Sequence, residues 1–148
     1  MKLYLEDLHE GQRFASGSLT VTAEAIKAFA SEFDPQPFHL DEAAAEASFF
    51  GGLAASGWHT AAMTMRLLVG GGLPLAEGSI GAGGEIRWPQ ATRPGDVLTV
   101  ESTVEAVKAS RSRADRGMVT VRSETRNQRG EVVQVLVANL IAFRRPPA

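Results

Sequence analysis

The stretch Phe33-Asp34-Pro35-Gln36-Pro37-Phe38-His39-Leu40-Asp41 places two carboxylates, two prolines and a histidine within nine residues. A turn needs only one proline. Each proline holds its own φ near −65° and biases the preceding residue toward an extended form. A loop stiffened twice can hold Asp34 and His39 toward one point in space. A carboxylate and an imidazole together can polarise a water molecule or exchange a proton with a substrate, and histidine is the side chain suited to that exchange near neutral pH. Two plainer readings stand beside this one. An Asp before a proline is a common helix stop, and a lone loop histidine is often structural. His39 and Asp41 also have the chemistry of two metal ligands, but zinc or iron sites usually need a third. Neither His9 nor His59 has a paired acid at ligand spacing, so no metal is expected.

A second candidate lies at Ala55-Ser56-Gly57. Ser56 is a good N-cap type, which makes Gly57 the first residue of the helix that follows, with an N–H that has no partner inside that helix. Free N–H groups at the positive end of a helix suit a carbonyl oxygen that gains negative charge. Glycine there permits close approach of a substrate. An ordinary cap with a glycine for packing is the alternative.

The elements that must position these residues follow from pattern. Residues 12–22 are weakly strand-like. Residues 22–33 have helical spacing at Ile26, Phe29, Ala30 and Phe33, with Thr20 or Thr22 as cap, and Asp34-Pro35 stops the helix. An Ala-rich turn runs from Asp41 to Ser48, and Phe49-Phe50-Gly51-Gly52 breaks it. Residues 55–69 form a second helix, apolar on almost every face and so expected to be buried on most sides; Gly70-Gly71-Gly72-Leu73-Pro74 ends it. The remainder reads as strands: 84–88; 97–107, with Leu98, Val100, Val104 and Ala106 on one face; 118–126; and 132–143, apolar on both faces as in a covered central strand. Asn127-Gln128-Arg129-Gly130 joins the last two as a hairpin. The expected fold is α+β, a single domain over residues 1–148 in which an antiparallel sheet wraps a central apolar helix.

The bulk numbers agree with one soluble core. The chain has 148 residues, 44% of them hydrophobic. A net charge of −2 argues against nucleic acid as partner. With no cysteine, disulfides, thiolate metal sites and a cysteine nucleophile are excluded. The opening MKLYLEDLHEGQ has acids where a signal peptide needs an apolar run, and no apolar stretch reaches the length of a membrane span. The cytoplasm is the expected compartment.

In this order, the elements resemble the MaoC-like dehydratases, which include the (R)-specific enoyl-CoA hydratases of the hotdog fold. That pattern runs Asp, a few residues, Asn-Pro-x-His-x-Asp, an Ala-rich turn, Phe-Gly, then a helix opening on His-Gly or Ser-Gly. Asp34, Pro37, His39, Asp41, Ala43–Ala45, Phe50-Gly51 and Ser56-Gly57 fall in register, and Gly95-Asp96 matches a Gly-Asp turn before a long strand. The resemblance implies a hotdog domain that hydrates trans-2-enoyl thioesters of CoA or an acyl carrier protein. It implies Asp34 and His39 as the catalytic pair and Gly57 N–H as holder of the thioester oxygen. It also implies no cofactor besides the CoA thioester substrate, and a homodimer. Two departures concern substrate contacts: Gln36 stands in place of Asn, and Ser56 in place of His. Trp58, Met63 and Met65 are candidates for the acyl pocket, with core packing as the plainer role. Arg111 and Arg113, in the basic run from Lys108 to Arg116, are candidates for the CoA phosphates, with a solvated loop as the plainer role. The rival functions are a hotdog thioesterase and a catalytically silent acyl-CoA-binding subunit. Many hotdog thioesterases carry an acid on the central helix, and residues 58–69 hold neither Asp nor Glu.

Overall fold

The computed structural model describes residues 1–148. Five strands form one antiparallel sheet: β1 (Arg13–Thr20), β2 (Ile80–Arg87), β3 (Val97–Ala109), β4 (Arg116–Arg126) and β5 (Val132–Phe143), in the order β1-β3-β4-β5-β2. The helices α1 (Ala23–Phe33), α2 (Pro37–Leu40), α3 (Glu42–Glu46) and α4 (Gly57–Leu67) all fall between β1 and β2. Chain connectivity therefore gathers every α-helix into the single crossover from one sheet edge to the other. This is the hotdog architecture.

Local chemistry sets each helix boundary. The Thr22 hydroxyl accepts from the Ala25 N–H and caps α1. Ile26 and Ala30 of α1 are fully buried, but Phe33, placed on the same face by spacing, is 68% exposed. It is the last residue of α1, where the chain turns away through Asp34 and Pro35. Pro37 opens α2, where its missing N–H costs nothing. The Asp41 carboxylate caps α3 by accepting from Ala44 N–H at 2.9 Å, which directs that side chain to the helix end.

The core lies between α4 and one face of the sheet. Leu98, Val100, Val104, Val119, Val121 and Leu140 meet Met63, Leu67 and Leu68 there. Side chains of this size each contribute roughly 1.5–3 kcal/mol when buried. Two expectations are corrected. A bulge between Val104 and Ala106 inverts the alternation of β3, so Ala106 is exposed and Val107 packs against the core instead. And α4 is covered on one side only. Thr60, Thr64 and Leu67 are buried, as is Leu68 in the turn that continues α4, whereas Trp58 and Met65 are 60% and 41% exposed, and Val69 in that turn is 61% exposed. A sheet is a layer and reaches one side of a helix, so the opposite stripe has no cover within the chain. β5, interior in the pairing order, is covered on both faces at Val133, Gln134 and Val135, as expected of a central strand, and only Asn139 along it is exposed.

The side of α4 toward the sheet is partly polar. Thr64 and Thr125 share a hydroxyl–hydroxyl hydrogen bond of 2.6 Å, and Thr60 donates to Thr92 at 3.0 Å. Each buried hydroxyl thereby has a partner. No helix is long and apolar enough to cross a membrane.

Candidate active site

Asp34 and His39 meet. Asp34 is the C-cap of α1, and its carbonyl accepts from Gln36 N–H at 2.7 Å, closing a tight turn around Pro35. Pro37 then starts the single turn of α2, which carries His39 inward to 4% exposure. The imidazole Nδ1 lies 2.6 Å from the Ala54 carbonyl oxygen. A carbonyl only accepts, so Nδ1 carries the hydrogen and Nε2 is left as the reactive nitrogen. Nε2 faces Asp34 Oδ2 at 3.4 Å, too long for a strong direct hydrogen bond and open to a small molecule that contacts both. The rings of Phe38 and Phe50, with centroids 4.7 and 6.0 Å from the imidazole, pack around it and fix its plane.

Asp34 is held as a carboxylate. Burial pushes its pKa up, but hydrogen bonds from Ser56 and Gln36, with the neighbouring His39 ring, outweigh burial and leave it below the ordinary value. The Gln36 side-chain amide donates to Oδ1. Ser56 serves two elements at once: its oxygen accepts from Trp58 N–H at 3.2 Å as the cap of α4, while its hydroxyl hydrogen is available to Asp34.

Gly57 is the first residue of α4, and no acceptor in the chain takes its N–H. The residue must be glycine for a packing reason that the sequence does not disclose. A Cβ here would lie 2.8 Å from two ring carbons of Trp88. Trp88 Nε1 in turn donates to the buried Gln134 at 2.9 Å, which holds the indole in place. Asp34, His39, Gly57, Trp58 and Thr92 share the lining of one cavity of about 380 Å³. An acid, a base, an unclaimed N–H and an aromatic wall are the parts needed to add water to, or remove it from, a polarised carbonyl compound.

Not all expected residues join them. Arg111 and Arg113 lie in the loop after β3, whereas Thr92 precedes β3. The 13-residue strand between spans about 40 Å at the usual rise. Within the chain, then, the structure does not bring these arginines to the pocket. Of the basic run, Arg116 is engaged with Asp115 through two hydrogen bonds. Met63 is a core residue at 6% exposure, and Met65 faces outward. Trp58 lines the mouth, edge-to-face with Trp88 at 5.2 Å. His59 is stacked on Phe29 at 4.7 Å, away from Asp34, and burial lowers its pKa. The residues sequence reasoning missed are Trp88, Thr92, Phe38 and Phe50. Trp88 and Thr92 come from a strand end and a connection; Phe38 lies within the chemistry-bearing stretch and Phe50 within the Phe-Gly motif, and only tertiary contact shows that their rings pack on His39.

The fold and the site define a hotdog protein with a carboxylate–imidazole pair beside the first turn of its central helix. The family described as FAS1-like, dehydratase domain region, matches residues 9–136, and the chain belongs to it. The chain is similar to the crystal structure of a MaoC-like dehydratase from Rhodospirillum rubrum, with 66% identity and a TM-score of 0.96, over 98% of this chain and 99% of that one. It is similar to the R-hydratase PhaJ1 from Pseudomonas aeruginosa, with 25% identity and a TM-score of 0.76, over 99% and 96% of the two chains. It also shares 33% identity with the Bacillus subtilis (strain 168) uncharacterized protein YdeM, over 84% of this chain and 88% of that protein.

Proposed function

We propose that this protein adds water reversibly to a trans-2-enoyl thioester of CoA or an acyl carrier protein, giving an (R)-3-hydroxyacyl thioester. The observation that carries the reading is the Asp34–His39 pair, with Nε2 3.4 Å from Oδ2 and the imidazole tautomer set by Ala54. The likeness to an R-hydratase supports it. In this mechanism the pair grips one water molecule. The water hydroxyl adds to the β-carbon while a member of the pair takes the proton. Enolate charge on the thioester oxygen is met by Gly57 N–H and the positive end of α4. The protonated member then delivers that proton to the α-carbon on the same face, so addition is syn, and dehydration runs the same steps backward. Gln36 and Ser56 keep Asp34 ionised, and Trp58 borders the acyl entrance.

The protein works as a cytoplasmic homodimer in this reading. The uncovered stripe Trp58, Met65 and Val69 and the open edge strand β2 are surfaces that a second copy covers. A phosphate-holding role for Arg111 and Arg113 then requires the second copy to carry them to the pocket. If it does, replacing both raises KM for CoA esters more than it lowers kcat; an unchanged KM removes them from the site.

The deciding experiment is hydration of a panel of trans-2-enoyl-CoAs, with D34N and H39A as controls. Both variants are expected to lose activity by roughly 10²–10⁴-fold, as for removal of a general acid or base. Release of free CoA without hydroxyacyl-CoA would make the protein a thioesterase. Neither product would make it a silent binder.

A further inference from the structure

We propose that Arg93 is a positioning residue for His39, acting through the loop that precedes α4; the kinetic part of this inference rests on the hydratase reading above. Arg93 forms no ion pair among the salt bridges of the chain. Instead its guanidinium donates to backbone carbonyls of one loop. One terminal nitrogen reaches Gly52 O at 2.9 Å and Leu53 O at 3.4 Å, and the other reaches Phe50 O. The next residue along, Ala54, supplies the carbonyl that accepts from His39 Nδ1, and its own N–H donates to Phe38 O at 3.3 Å. Ala55 N–H then bonds to Thr92 O at 2.9 Å. Residues 92 and 93 thus grip both ends of the segment that sets the His39 tautomer.

Arg93 is itself anchored. Its backbone N–H donates to Asp96 Oδ2 at 2.9 Å; Asp96 is 2% exposed, and its other oxygen accepts from Gln128 at 3.1 Å. The loop it holds contains two glycines, one at φ +64°, and no regular element, so little else in its backbone resists displacement. A planar fork can satisfy three carbonyls at once, whereas a lysine ammonium on a flexible stem holds fewer with less direction.

The test uses R93Q and R93K in the full-length protein. ¹⁵N–¹H spectra of the imidazole in the absence of substrate are expected to show His39 with Nδ1–H in the wild type, a mixture of tautomers in R93Q, and an intermediate population in R93K. Hydration of a trans-2-enoyl-CoA is expected to fall ~10–100-fold in kcat in R93Q, the size expected of an ångström-level misplacement, with KM changed by less than about threefold, and R93K recovering part of it. A wild-type tautomer and wild-type kcat in a folded R93Q would overturn the proposal, as would a rise in KM at constant kcat. If R93Q does not fold, R93K decides: full wild-type behaviour in both readouts also overturns it. A wild type that hydrates nothing would defeat the hydratase reading alone, because the tautomer measurement needs no substrate.

Discussion

Asp34 shows how a side chain on a turn is kept ionised despite partial burial. Its pKa lies below the ordinary 3.8 despite burial, because Ser56 and Gln36 donate to it and His39 lies beside it. The sign follows directly. A depressed carboxylate contributes stability above its unfolded pKa, and loses it as pH falls through the lower folded value. Activity that needs the carboxylate therefore persists on the acid side down to below the ordinary Asp range. Removing the Ser56 hydroxyl takes away a downward cause, so S56A is expected to move the acid limb of kcat/KM to higher pH. A pH–rate profile checks this, and an unmoved limb would mean that Ser56 serves α4 alone. Losing the cap also costs about 1 kcal/mol of stability, visible as a lower Tm.

Between elements, the contact to watch is α4 against the end of β2. Gly57 lets the Trp88 indole lie against the first turn of α4, and Gln134 on β5 holds the indole from behind. G57A forces the ring out of a packed site and is expected to cost ~1–3 kcal/mol, measured by denaturant unfolding. In a W88A background the same G57A substitution is expected to cost less, because the clashing ring is gone, while activity stays low because the wall of the pocket is gone. How much of this was legible differs by element. The ends of α1 and α4 were, because Thr22, Asp34-Pro35 and Ser56-Gly57 act on their immediate neighbours. The bulge in β3 was not, because nothing in Val104-Glu105-Ala106 distinguishes it locally; its place depends on how β3 pairs with β4.

For the molecule as a whole, the open side of α4 is the main unsatisfied surface. Met65 and Val69 are exposed beside Trp58, a stripe that a monomer would leave in water. M65E or V69E is expected to shift the protein toward monomer by sedimentation while leaving each protomer folded, because neither side chain belongs to the core. An unchanged sedimentation coefficient would count against this stripe as a contact between copies.

The sequence alone determined the chemistry-bearing stretch, its proline brace, the helix caps and the alternating strands. Each of these rests on interactions between residues a few positions apart. It also carried the motif order that the family match bears out. Tertiary structure alone decided what His39 faces, since the carbonyl of Ala54 and the carboxylate of Asp34 approach it from different elements. It decided that Arg111 and Arg113 lie at the far end of β3, and that Trp88, Thr92 and Arg93 belong with the site. Those relations depend on which segments the sheet order and the crossover bring together across many residues, and no local pattern encodes that distance.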